Sequence, residues 1–140
     1  MAIAGKGLRR QKSSRGVTVV EVAITAPLAF LLILGLIIGA FGVFRFQQIT
    51  HLAREGATYA AMHGPSYEKR TGHPCADSQQ VLQKVVLPMS AGLDAAALNC
   101  TCVMDRDANT VAVTLRYEWI PEAFLPATTL SSTSVMSLKQ

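Results

Sequence analysis

Residues 22–44 contain no charged side chain, and this apolar run limits what the chain can fold into. As a helix rising about 1.5 Å per residue, the run spans roughly 34 Å, enough to cross a hydrocarbon core of about 30 Å. The apolar core of a cleaved secretory signal is shorter, about 7–15 residues, and no small-residue cleavage site follows this run closely. The sequence therefore predicts a single transmembrane helix over residues 17–44, anchored in a lipid bilayer.

The charged residues are distributed unevenly around this run. Residues 1–16 hold five of the 13 Lys and Arg and no acid, which leaves eight basic and nine acidic side chains beyond them. Because basic residues are enriched on the cytoplasmic side of a span, we expect a cytoplasmic N-terminus and an extracytoplasmic remainder. The chain beyond residue 16 carries no basic patch, so no nucleic-acid partner is expected.

The helix is predicted to continue beyond the membrane as an amphipathic helix over residues 45–63. Apolar and small residues at positions 49, 52, 53, 56, 57 and 60 form one stripe at helical spacing, with polar residues on the opposite face. The pair Gly64 and Pro65 is expected to end the helix. A loop from Pro65 to Ala76 is then predicted.

Residues 64–140 are predicted to form a small head. A short helix is expected from Asp77 or Ser78 to near Pro88. Apolar residues then recur at every second position in 98–104 and 111–119, around an Asp/Asn-rich turn at 105–109, which predicts an antiparallel hairpin. Residues 132–138 add a weaker third strand. The predicted fold class is α+β, with a long N-terminal helix, a short helix and a small antiparallel β-sheet.

A glycine and a glutamate mark the start of the apolar run. Gly16 follows the basic residues, and Glu21 stands five residues later at the edge of an otherwise apolar helix, where a carboxylate is costly. This arrangement resembles the type III, prepilin-type signal. The resemblance implies cleavage between Gly16 and Val17 by a prepilin peptidase, and pairing of Glu21 with the freed α-amino group of an adjacent subunit. The alternative is an uncleaved anchor whose Glu21 extends to the interface.

The segment after the span adds a second resemblance. Residues 50–61, Thr-His-Leu-Ala-Arg-Glu-Gly-Ala-Thr-Tyr-Ala-Ala, and the tail at 111–121 are similar to TadE-like proteins. The resemblance implies a pilin-like minor pseudopilin of a tight-adherence (Flp, type IVc) pilus used for surface attachment. Such a protein would reside in the bacterial inner membrane, and it could enter the pilus. Its partners would be other pilins and the proteins of the assembly platform. Val22 stands where the major Flp pilin usually has tyrosine, which favours a minor subunit.

Three glycines lie within the predicted span. Gly35, Gly39 and Gly42 place small residues at a spacing that allows two helices in lipid to approach closely. Glycine is also frequent in membrane helices for other reasons, so packing and simple composition both explain these positions.

The three cysteines lie on the side predicted to be oxidising. Cys100 and Cys102 point to one face of a strand and are poorly placed to bridge each other, so Cys75 is expected to pair with one of them. A metal site combining His73 with the cysteines matches no established ligand spacing, so neither a metal nor a cofactor is predicted.

No arrangement of nucleophile, base or phosphate-binding loop is present in the sequence, and we therefore do not expect an enzyme. Three alternatives stay open. The chain could be an unprocessed single-pass envelope protein with a partner-binding head, an envelope enzyme or metal binder using the cysteines and histidines, or a pseudopilin of a type II secretion system.

Overall fold

The computed structural model describes residues 15–121 and 126–138, which form an α+β structure. A long helix is followed by short helical segments and a three-stranded sheet, as the sequence predicts. The elements are α1 (Arg15–Met62), α2 (Pro65–Thr71), α3 (Ser78–Val81), a π-helical segment (Leu82–Val86), α4 (Leu87–Met89), a 3-10 turn (Ala95–Ala97), β1 (Leu98–Asp105), β2 (Thr110–Trp119) and β3 (Thr128–Ser137).

The described residues divide into two compact units, one ending at Ile37 and one beginning at Ile38. The first unit is the N-terminal part of α1. Its apolar side chains are exposed along the whole described length, and Pro27 lies inside the helix. Helix α1 is long and apolar enough to cross a membrane, which is consistent with a single-pass membrane protein.

The second unit contains the rest of α1 together with the head. Every position of the predicted apolar stripe is buried in this unit. The stripe contributes Ile49, Leu52, Ala53, Ala57 and Ala60 to a core that also includes Val81 and Val86 and the inner face of the sheet. The period of 3.6 residues thus identifies the face of the helix that packs against the head.

The sheet is an antiparallel meander in the order β1-β2-β3. Cys102 of β1 lies opposite Val113 of β2, and Val113 lies opposite Ser134 of β3. The odd-numbered residues of β2 from Val111 to Tyr117 are buried, as the alternating pattern predicts. One face of the sheet therefore packs into the core, and the other face is solvated.

The Asp and Asn residues in the turn between β1 and β2 have structural roles. The Asp105 Oδ1 atom accepts hydrogen bonds from the backbone N–H groups of Asp107 and Ala108, each at 3.0 Å. Asn109 has a positive φ of 54°, a conformation that asparagine adopts more readily than most residues.

Two predicted boundaries are wrong. Much of the expected loop from Pro65 to Ala76 is helix α2, because Pro65 suits the first helical position and Gly72, at φ 73°, ends the helix in the left-handed conformation. The third strand begins at Thr128, four residues before the predicted start, because its Ser/Thr-rich first half pairs fully with β2.

Candidate functional site

The two residues of the signal-like motif lie near the start of α1. Arg15 and Gly16 are already helical, so the bond between Gly16 and Val17 lies within α1. Glycine weakens helical structure by about 0.5–1 kcal/mol relative to alanine. Gly16 is therefore a weak helix former directly beside this bond.

Glu21 lies one helical turn beyond Val17. Residues four apart share a face of an α-helix, so Glu21 lies on the same face of α1 as Val17. The Glu21 backbone carbonyl accepts a hydrogen bond from the Thr25 hydroxyl at 2.9 Å. The side chain of Glu21 itself is exposed. Glu21 and an α-amino group formed at Val17 would thus lie one turn apart on the same face of the helix.

Gly56 allows α1 to approach the sheet closely. A Cβ atom built on Gly56 would lie 3.0 Å from Val81 Cγ1 and 3.3 Å from Val113 Cγ1. Gly56 is therefore a packing position between the helix, the α3 segment and the centre of β2.

Gly42 has a role that the sequence did not reveal. A Cβ atom built on it would lie 3.1 Å from Cζ3 and 3.3 Å from Cη2 of Trp119. The missing side chain thus accommodates an indole from the end of β2. Around Gly35 and Gly39, by contrast, no described atom other than those of the adjacent residues and the neighbouring turns of the α1 backbone lies within 4 Å of the corresponding position. Packing of these two glycines against another helix stays a prediction.

The turn after α4 is joined to α1 just beyond the apolar run. Arg45 donates from Nη1 to the carbonyl oxygen of Gly92, which has a positive φ of 79°. Gln48 Nε2 donates to the carbonyl oxygen of Ala91 at 3.5 Å. These contacts hold the turn beside the helix at the level where the charged residues resume.

The three cysteines are free thiols in the structure, and their predicted pairing stays a prediction. Cys75 Sγ donates to Glu68 Oε2 at 3.1 Å. The backbone N–H of Cys102 donates to Ser78 Oγ at 2.9 Å, so the start of α3 lies against β1. Ser78 is three residues after Cys75 in the sequence. Because β1 is an edge strand, this hydrogen bond also satisfies a backbone N–H group that no neighbouring strand can pair.

Burial makes all three thiols harder to ionise. It is the main cause that raises the pKa of Cys100 to about 11, with Cys102 and Asp77 adding to the effect. Burial likewise raises the pKa of Cys102, and burial together with the Glu68 hydrogen bond raises that of Cys75. Protonated thiols are poor nucleophiles and poor metal ligands. Within residues 15–121 and 126–138, no three His, Cys, Asp or Glu side chains are grouped to hold a metal ion.

Comparison with known families finds a similarity in the first part of the chain. The family model described as TadE-like protein matches residues 16–58. This segment, here called the TadE-like segment, is similar to that family over 43 of the 140 residues. No curated protein and no solved structure matches the chain.

The TadE-like segment contains Gly16, Glu21, Gly42 and Gly56. It covers the signal-like motif, the apolar run and most of the buried stripe. Trp119 and all three cysteines lie outside it. The head thus contacts the TadE-like segment through residues that the family match does not include.

Proposed function

We propose that this chain is a TadE-like minor pseudopilin that takes part in assembly of a tight-adherence pilus. The observation that carries the proposal is the TadE-like match, which begins at Gly16 and includes Glu21 and the apolar run. In this proposal a prepilin peptidase cleaves between Gly16 and Val17 at the cytoplasmic face of the inner membrane. The mature subunit then joins other pilins or the assembly platform.

The charge distribution supports this order of events. Cleavage after Gly16 removes five basic side chains and leaves eight basic and nine acidic ones. The basic leader orients the precursor with its N-terminus in the cytoplasm. After its removal, the new α-amino group at Val17 is the positive charge nearest to Glu21 in the chain.

Glu21 supplies the assembly contact in this proposal. A carboxylate at the edge of lipid is costly unless a cation pairs with it. The α-amino group of a neighbouring subunit would offset this cost, so association is favoured between subunits that have been cleaved. The head contributes surfaces for pilus partners, and we propose that the protein acts as a subunit and not as an enzyme.

The test of processing is N-terminal sequencing of the full chain produced with and without a prepilin peptidase. We expect Val17 as the new terminus only when the peptidase is present. Gly16→Val should block cleavage because a branched side chain obstructs close approach to the backbone, whereas Gly7→Val in the leader should be cleaved normally. If Val17 never becomes the terminus, the processing proposal fails, and an uncleaved envelope anchor becomes the better description.

The test of assembly is incorporation of the cleaved subunit into pilus or platform complexes. Glu21→Gln should still be cleaved but should lose co-purification with these complexes. Glu118→Gln, which neutralises an exposed carboxylate on β2, is the matched control and should assemble normally. Equal assembly of both variants would remove Glu21 from the proposed contact.

A further inference from the structure

We propose that the end of the head carrying Trp119 rests on the lipid surface where the apolar run leaves the membrane. The contact region, here called the basal patch, consists of Trp119, Ile120 and the two residues three and four positions after Gly42 on the same helix face, Arg45 and Phe46. Its partner is the headgroup layer of the bilayer. This inference rests on the proposed membrane insertion of residues 17–44.

The position of Trp119 follows from its contact with Gly42. Gly42 lies two residues before Phe44, the last residue of the uncharged run, and therefore about 3 Å inside the end of that run. The headgroup and interfacial layer is about 5–7 Å thick on each side of the hydrocarbon core. An indole in van der Waals contact with Gly42 is accordingly at the boundary between hydrocarbon and headgroups.

The chemistry of the basal patch suits this boundary. Ile120 is 72 % exposed, and Phe46 is also exposed, so the patch presents apolar side chains that the head does not cover. Trp is enriched at membrane interfaces because its apolar ring and N–H group match the two sides of the boundary. Arg45 adds a cation with five N–H donors, one of which is directed to Gly92 O.

The position of the contact between Gly42 and Trp119 favours lipid as the occupant. Gly42 and Trp119 belong to the same compact unit, and their contact brings β2 to the level of the apolar run. Acyl chains that surround α1 at Gly42 therefore contact Trp119 on the side of the helix that faces the head. A second copy of the chain could reach the basal patch only by displacing these lipids.

Fluorescence of the full chain in vesicles tests this contact, since Trp119 is the one tryptophan in the sequence. The vesicles are phosphatidylcholine with bromine placed on the acyl chains either near the headgroups or near the chain ends. We expect bromine near the headgroups to quench Trp119 more strongly than bromine at the chain ends, and aqueous iodide to quench it weakly. Strong quenching by iodide with none by brominated lipid would overturn the proposal. Insensitivity to both quenchers would also overturn it and would indicate cover by a second copy.

Vesicle flotation separates this inference from the proposed function. Protein that fails to float with the vesicles would contradict membrane insertion itself. Protein that floats without quenching by brominated lipid would contradict only the basal patch.

Two variants localise the contact. Ile120→Ser should reduce quenching by bromine near the headgroups. Val103→Ser removes an exposed side chain from the solvated face of β1 and should leave the quenching unchanged. Equal effects of the two variants would overturn the assignment of Ile120 to the patch.

Discussion

Leu31 and Ile49 lie on the same helix, but Leu31 is 71 % exposed and Ile49 is fully buried. In the N-terminal part of α1 the large apolar side chains point outward on every face. In the C-terminal part only one stripe is apolar, and it packs into the head. The first part is built for a lipid environment and the second for a protein core.

The residue sizes in the two parts differ for the same reason. Leu, Ile and Phe dominate the apolar run, whereas Ala and Gly dominate the buried stripe. Lipid adapts to any side chain, but a folded sheet approaches a helix closely only where side chains are small. One continuous helix can therefore serve two surroundings by changing the size and distribution of its apolar residues.

The strongest test of this difference applies one substitution to both parts. Ile49→Ala should lower the free energy of unfolding of the head by about 2–5 kcal/mol, because it leaves a cavity in the core. The measurement is thermal unfolding of the full chain in detergent micelles, followed by near-ultraviolet circular dichroism.

Ile33→Ala is the matched control, since Ile33 is 53 % exposed on the N-terminal part of α1. It should leave unfolding of the head unchanged. A similar loss from both variants would contradict the division of α1 into a lipid-facing part and a core-facing part.

A smaller effect of the same kind is expected at the glycines. Gly56→Ala crowds Val81 and Val113, which costs about 1–3 kcal/mol, while alanine favours the helix by about 1 kcal/mol. We expect a net loss of stability of about 1 kcal/mol in the same unfolding experiment.

Gly39→Ala provides the comparison in the apolar run. No described atom beyond the adjacent residues and the neighbouring turns of the α1 backbone lies within 4 Å of the added methyl group, so this variant should not destabilise the head. If Gly39 packs against another subunit, the variant should reduce assembly while unfolding is unaffected. Destabilisation of the head by Gly39→Ala would contradict this interpretation.

The smallest effect concerns the half-buried thiol of Cys100. Its folded pKa of about 11 lies above the ordinary value of 9.0, so folding favours the neutral thiol. The associated stability is fully present below pH 9 and is lost as the pH rises through 11. Urea unfolding of the reduced protein should therefore show a lower midpoint near pH 11 than near pH 8. Cys100→Ala should have a shallower decline, and an identical decline in both proteins would exclude Cys100 as its cause.

Much of the fold could be predicted because its patterns are local. The apolar residues at 49–60 repeat with the helical period, and those at the odd positions of β2 repeat with the period of a strand. In each segment the pattern alone therefore predicts which face is buried. The signal-like motif at Gly16 and Glu21 could also be recognised without any tertiary contact. The sequence prediction places a loop where helix α2 lies, although Pro65 and Gly72 carry the signals of its two ends.

The contacts that could not be predicted join residues far apart in the sequence. Nothing near Gly42 indicates that Trp119 fills the space beside it. The glycine spacing suggested contact with another helix, and the sequence contains no signal that distinguishes the two uses. The bond from Cys102 N–H to Ser78 Oγ is similar, because Ser78 was expected only as a helix cap.

The small size of the buried stripe has a consequence for the order in which the protein is made. The stripe at 49–60 is synthesised well before its partners, and the Thr58 hydroxyl contacts Met136 Sδ across 78 positions of sequence. Such long-range contacts form slowly, so the amphipathic part of α1 must wait uncovered until the strands have emerged. Because four of the six stripe positions are Ala or Gly, the uncovered surface offers less apolar area for misassociation than a stripe of Leu and Phe would.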